Sequence, residues 1–453
     1  MVSAENLNYD VLELIFTFLF LNDLAAVSQV SRSFRAGCIP RLYKTIIFRH
    51  DLAKRYPRLM SPFAVILAHP YLAVHVRRID IRSIPVLHSQ HSSQAHPAFL
   101  RDCIDVIAKS SNLISFTCTP FNSLPPFLPS LQEKGRLQSL RISASSLASD
   151  ASAKLLHLSG IKSLTLENAS WIVVDSLPKW MESLQSSITY LTLYMISDLN
   201  SNILTSMLPY LPRLRGLHII GCPGVDHVAI VHALRHFPLL ESLAFSMSDT
   251  NRSLPEHIPD LSLTHLRHLA IDSEIYGRLS APTTPGMWSS LFTTLQLWAS
   301  PLMSVALKPS TKGSCQAFLE EMIEFHASTL KYLSILNCSL NINNIADIAE
   351  KCIALERLAM PVADVRDLTG FRLALRISSS IHTLIDVGVS HTSHGPRVSL
   401  TNGPVRRMME EIPCLRKVVS ETRHWTGTPS PNGIQVTLER KKHGASSHWF
   451  LPP

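Results

Sequence analysis

The chain has 453 residues and a mass of 50.5 kDa, is 46% hydrophobic and 17% charged, and carries a formal net charge of +8. That length exceeds the roughly 250–300 residues one hydrophobic core serves, so either several domains or a stacked array is expected. The hydrophobic content excludes a largely disordered chain, and 16 glycines and 29 prolines without a period exclude a collagen. The basic excess is thin, and its densest run, Arg440-Lys441-Lys442-His443, reads as a solvated segment, so no nucleic-acid partner is expected.

The first residues carry Glu5, Asp10 and Glu13, with no Lys or Arg before Arg32, which does not fit a secretory signal. The longest apolar run, Val11 to Leu21, is broken by Glu13 and is too short to span a bilayer, so no membrane partner is expected. Cysteines 38, 103, 118, 222, 315, 338, 352 and 414 are widely spaced, with no CxxC pair. They read as reduced thiols of a cytoplasmic or nuclear protein, with no metal centre.

Residues 7–48 stand apart from the rest of the chain. Asp10 is the expected N-cap of a helix from Val11 to Leu19, and Asp23 of a second from Leu24 toward Phe34. Val11, Leu12, Leu14, Ile15, Phe16, Phe18 and Leu19 cover nearly the whole circumference of the first helix, so it is expected to be buried all round. About forty residues cannot do this alone; the rest of the chain or another protein must cover the remainder.

Beyond them one pattern recurs: apolar, two variable, apolar, one variable, apolar. It reads Leu137-Gln-Ser-Leu140-Arg-Ile142, Ile161–Leu166, Ile188–Leu193, Leu214–Ile219, Leu240–Phe245, Leu266–Ile271, Phe292–Leu297, Leu330–Ile335 and Leu355–Met360. Weaker copies sit at Val76–Ile81, Leu113–Cys118, Ile381–Asp386 and Leu415–Ser420. The spacing is about 26 residues, inside the leucine-rich-repeat window. The period-two half of each copy predicts a strand, and segments such as Leu204–Leu211 and Val228–Phe237 predict the returning helices. No repeat buries its apolar edge alone, so neighbours must stack. Three gaps break the rhythm, before Phe116, between Leu295 and Leu333, and before Val418; polar inserts such as His88–His96 fill them.

Two copies extend to Cys222 and Cys338 and resemble the cysteine-containing leucine-rich repeats of the ribonuclease-inhibitor-like and F-box-linked type. That resemblance implies that these two thiols bond to backbone in the turn after the strand. The N-terminal stretch in turn resembles an F-box, matching at Leu7, Asp10, Val11, Leu12, Ile15, Phe16, Leu19, Asp23, Leu24, Val27, Ser28, Val30, Ser31, Arg32 and Phe34. The Leu42-Tyr43…Ile46 extension is similar to that of F-box proteins abundant in fungi, and Asn8 stands where the family has proline.

The expected fold is α/β: a leucine-rich-repeat solenoid, a curved parallel sheet with outer helices, preceded by a small all-α F-box. The expected division is 1–48 F-box, 49–70 connecting segment, 71–420 solenoid of about thirteen units, and 421–453 C-terminal cap or tail. The resemblance implies a substrate-recognition subunit of a Skp–cullin–F-box ubiquitin ligase, with a Skp-type adaptor, through it a cullin, and a protein substrate as partners. Leu7, Val11, Leu12, Ile15, Phe16, Leu19, Leu24, Val27, Val30 and Phe34 are candidates for the adaptor face and the F-box core together. The alternative is a leucine-rich scaffold or inhibitor uncoupled from ubiquitin ligase.

No G-x-S-x-G, Walker A, H-E-x-x-H or G-x-G-x-x-G motif occurs, so no enzymatic activity and no cofactor are expected. What remains is surface. The residues between the apolar strand positions line the concave face, and Tyr190, Tyr194, His218, His268, Asp272, Trp298 and Tyr332 form the candidate substrate-binding group, because aromatic residues anchor interfaces.

Overall fold

The computed structural model describes residues 8–19, 21–88, 93–145, 147–247, 262–273, 300–309, 316–338, 340–362, 368–387, 400–431, 433–440 and 448–453. They belong to two compact units, Met1–Leu199 with Pro209–Arg213, and Asn200–Leu208 with Leu214–Pro453.

The first unit opens on three helices, α1 (Tyr9–Phe16), α2 (Leu21–Val27) and α3 (Arg32–Leu42). Asn8, not Asp10, is the N-cap of α1; its carbonyl already accepts the N–H groups of Val11 and Leu12 at 3.0 and 3.1 Å. Asp10 and Asp23 sit inside first turns, where the helix dipole favours a negative charge. The expected helix from Leu24 toward Phe34 is two helices. After Val27 the backbone tightens, with Gln29 and Val30 donating to carbonyls three residues back, and the Ser28 hydroxyl donates to the Ala25 carbonyl at 2.7 Å. Ser31 then restarts the chain as the N-cap of α3, accepting from Phe34 N at 3.1 Å.

Only Tyr43 and Lys44 separate α3 from strand β1 (Thr45–Phe48). Strand formation thus begins inside the stretch read from sequence as helical. The next strands are β2 (Arg78–Ile81), the antiparallel pair β3 (Val86–His88) and β4 (Ser93–Ala95), β5 (Ser115–Cys118), β6 (Ser139–Ser143), β7 (Ser163–Glu167) and β8 (Tyr190–Tyr194). The polar insert around His88–His96 supplies the β3–β4 pair. Residues 49–70 are folded as well: Phe63 and Ile66 of helix Pro62–Ala68 are fully buried, and the Phe48, Phe63 and Phe99 rings pack together, Phe48 and Phe99 at 4.4 Å.

β1, β2 and β5–β8 run parallel, and their apolar residues align in one register row: Ile46, Ile79, Phe116, Leu140, Leu164, Leu191. Behind them lie helices Pro97–Lys109, Leu128–Gln132, Ser149–Leu156 and Trp171–Leu184, which bury their apolar sides.

The second unit repeats the plan with β9 (Gly216–Ile220), β10 (Ser242–Ser246), β11 (His268–Asp272), β12 (Ser304–Lys308), β13 (Tyr332–Ile335), β14 (Arg357–Met360), β15 (Thr383–Asp386) and β16 (Lys417–Ser420), all parallel. β17 (Arg423–Ser430) and β18 (Gly433–Arg440) then reverse direction and end the ladder as an antiparallel hairpin. Trp425 of β17 is buried, and its indole N–H donates to Asn402 Oδ1 at 2.7 Å.

One hydrogen-bond device recurs in both units. The carbonyl just before a strand accepts two successive N–H groups from the start of the next strand, at 2.7–3.1 Å: Lys44 from Arg77 and Arg78, Gln138 from Lys162 and Ser163, Arg267 from Met303 and Ser304. The last of these corrects the repeat reading. The neighbour of β11 is β12, built on Leu302…Val305…Leu307, whereas the copy at Phe292–Leu297 lies outside the described residues. The long interval therefore falls between β11 and β12. Turns after strands hold left-handed residues: Asn168, Met195 and Asn337 have φ of 49°, 55° and 55°, and Gly221 has 68°. A side chain there is strained, and asparagine tolerates it best.

Among the described residues no helix is long and apolar enough to cross a membrane. Burial pushes the Cys118 thiol up to about 12 and Cys352 to about 11, so these thiols stay protonated. Cys222 is buried, with its Sγ donating to the Ile220 carbonyl at 3.7 Å; Cys338 is half-buried.

Candidate functional site

The structure separates two roles that the sequence left joined. Leu12, Phe16, Leu24 and Cys38 form a small core among α1–α3, with Leu19, Val27, Phe34 and Leu42 packed against it. Phe16 meets Phe34 edge-on at 5.7 Å. Gly37 makes this approach possible, because a Cβ there would stand 2.7 Å from the Phe16 ring.

The opposite side of α1 is apolar and uncovered. Val11, Leu14, Ile15 and Phe18 have the spacing i, i+3, i+4, i+7, which places them on one stripe. Leu14 is 63% and Phe18 78% exposed, against 2% for Leu12 and Phe16. Val30, in the turn before α3, is exposed too. Of the ten candidate adaptor residues, Val11, Ile15 and Val30 are therefore surface, and Leu12, Phe16 and Leu24 are core. Leu19, Val27 and Phe34 lie between, and Leu7 is outside the described residues. Leu14 and Phe18 were missing from that set, although their spacing marks the stripe once the covered side is known. Of the all-round cover expected for this helix, the described part of the chain supplies one side, through α2 and α3.

Were such a stripe covered on association, each large side chain buried would contribute roughly 1.5–3 kcal/mol. Asp10 and Glu13 are exposed on the same helix, at positions outside the stripe.

The candidate substrate-binding residues divide between the two units. In the first unit Tyr190 and Tyr194 are half-buried on β8. There the face away from the leucine row is polar, with ion pairs Arg82–Asp80 at 2.8 Å and Arg141–Glu167 at 2.6 Å. In the second unit His218 and Asp272 are buried, so neither is an open contact residue. Asp272 faces Lys308 at 3.8 Å. His268 is half-buried and in register, through Ser304, with Tyr332, whose ring lies under Arg357 at 5.2 Å. His218 Nε2 is 2.8 Å from Ser242 Oγ, and burial, then the charges of His268 and His448, hold its pKa down to about 3. Trp298 lies outside the described residues. Among the described residues no group of three His, Cys, Asp or Glu side chains could hold a metal ion.

Among curated proteins none matches the chain. Among solved structures, the Rad7 and Elc1 complex of yeast contains a chain similar at a TM-score of 0.47 and 15% identity, over 87% of this chain and 92% of that one, a likeness too distant to bear on function. The family model of the F-box domain matches residues 5–38. Helices α1–α3 are thus an F-box domain, and the strands after them make a leucine-rich-repeat-type array.

Proposed function

We propose that the chain is the substrate-recognition subunit of a Skp–cullin–F-box ubiquitin ligase. The F-box docks on a Skp-type adaptor through the α1 stripe, the adaptor joins it to a cullin, and the repeats hold a target protein. The chain makes and breaks no bond in this role. It raises the effective concentration of a target lysine near an enzyme that other subunits carry.

The supporting observation is the pairing of a packed three-helix core with an apolar stripe on the same helix. The stripe has no structural need to be apolar, and a partner supplies that need. Asn8, in place of the family proline, does not weigh against docking: its φ of −54° and ψ of 141° are values a proline would impose.

The test is Leu14→Asp with Phe18→Asp. Capture of the purified adaptor should fall at least about 100-fold, as for a truncated interface anchor, while the thermal unfolding midpoint stays unchanged. Undiminished capture by the folded double variant rejects docking through α1. Replacing Leu12 and Phe16 would not discriminate, because both are core. If the unaltered chain captures no adaptor at all, the uncoupled scaffold becomes the better reading.

A further inference from the structure

In the second unit, the sheet face turned away from the leucine row carries a register row of small side chains. His218 of β9 is succeeded in adjacent strands by Ala244, Ala270, Ala306, Ser334 and Ala359. Methyl groups leave this strip low beside the next row, which holds His268 and Tyr332. The strip has a visible occupant at its first member. The Phe450 ring lies 6.1 Å from the His218 ring and is 3% exposed. His448 stacks on Phe450 at 4.8 Å and 7°, and Trp449 meets it edge-on at 5.7 Å. His218 itself is 1% exposed. Beside it, His268 Nδ1 is buried with no hydrogen-bond partner among the described residues, a polar atom that a bound backbone could satisfy.

We propose that this strip seats a bulky aromatic side chain of a bound peptide, and that residues His448–Pro453 fill the seat in cis, so that a target peptide presenting an aromatic residue must displace them. The proposal rests on the reading of the repeats as the target-binding part. Two features set this segment apart from an ordinary structural cover. Its ring meets His218, the first member of the strip, on the face turned away from the leucine row, and that one aromatic ring is its buried anchor. A tethered occupant acts at a local concentration near the millimolar range, which suppresses weak competitors and yields to strong ones.

The probe is a fluorescent synthetic peptide with the sequence of residues 444–453, measured by fluorescence anisotropy against the full chain without adaptor. The Phe450→Ala chain should bind it, and the unaltered chain should bind it at least about tenfold more weakly. The same peptide with alanine at the phenylalanine position should bind neither. Equal binding by the two chains overturns the proposal, as does absence of binding to a Phe450→Ala chain that unfolds at the unaltered temperature. Should Phe450→Ala fail to fold, the chain with His448→Ala and Trp449→Ala decides. Peptide capture by that folded variant supports a displaceable occupant, and its failure to capture, or to fold, makes the segment structural and overturns the proposal. Since no adaptor is present, a failure here is separate from a failure of the docking test on α1.

Discussion

The F-box helices and the repeat strands place their apolar side chains in opposite ways. In the strands, Leu140, Leu164 and Leu191 stand in one register row and are at most 1% exposed, because each is covered by its counterparts in the strands on either side. On α1 the residues are just as apolar, yet Val11, Leu14 and Ile15 face outward. A repeat carries its own cover in the next copy; a three-helix domain has none to spare. Apolar periodicity therefore tells which residues avoid water, and only the surrounding fold tells what covers them.

Substitutions at matched positions test this contrast. The largest effects belong to the two cores. Phe16→Ala should cost about 3–5 kcal/mol within the F-box, and Leu164→Ala about 2–5 kcal/mol within the array, measured by urea unfolding. Leu14→Ala should stay within about 0.5 kcal/mol, since its side chain already meets water. A comparable loss at Leu14 would mean that the stripe is covered by the chain itself.

Acid should separate the two regions next. Burial lowers the pKa of His218 to about 3 and that of His326 to about 4. A neutral ring held this way contributes stability that is complete above about pH 6.5 and is lost as pH falls from there toward those values. The second unit should therefore show a falling urea midpoint between pH 7 and pH 5, read by its Trp425 fluorescence. Helices α1–α3 contain no histidine and should not show that loss. An array midpoint that is flat across this range contradicts the buried placement of both rings.

The smallest effect is at Asn8. Asn8→Pro should stabilise the F-box by about 0.4–1 kcal/mol, because the backbone already holds the angle that proline fixes and the unfolded chain loses freedom. Destabilisation in a thermal melt would show that the cap needs the asparagine.

Most strands were legible in the sequence, because period-two alternation between leucines is what a half-buried parallel strand requires. β12 was missed because the Leu295 copy kept the 26-residue rhythm and outcompeted the equally good Leu302…Val305…Leu307 pattern. β1 was missed because Thr45-Ile-Ile-Phe48 comes directly after a helical segment and lacks the leading leucine. The F-box core was legible as a set and not as a division, since which side of α1 is covered depends on Gly37 letting α3 close onto Phe16. The seat of Phe450 left no periodic trace, being a contact between a strand and a segment far along the chain.

The short join after α3 has a mechanical consequence. Lys44 comes two residues after the helix, and its carbonyl is already bonded to Arg77 and Arg78 of the next turn of the array. The helix is thus joined to the first strands with no linker between them, and the join itself is held by the array's own hydrogen bonds. Under the proposed function, a target held by strands of that unit is aimed as well as tethered: it points along one bearing from α1, and reach is set by the bearing as much as by distance. Selectivity among lysines of a target then becomes partly a matter of direction.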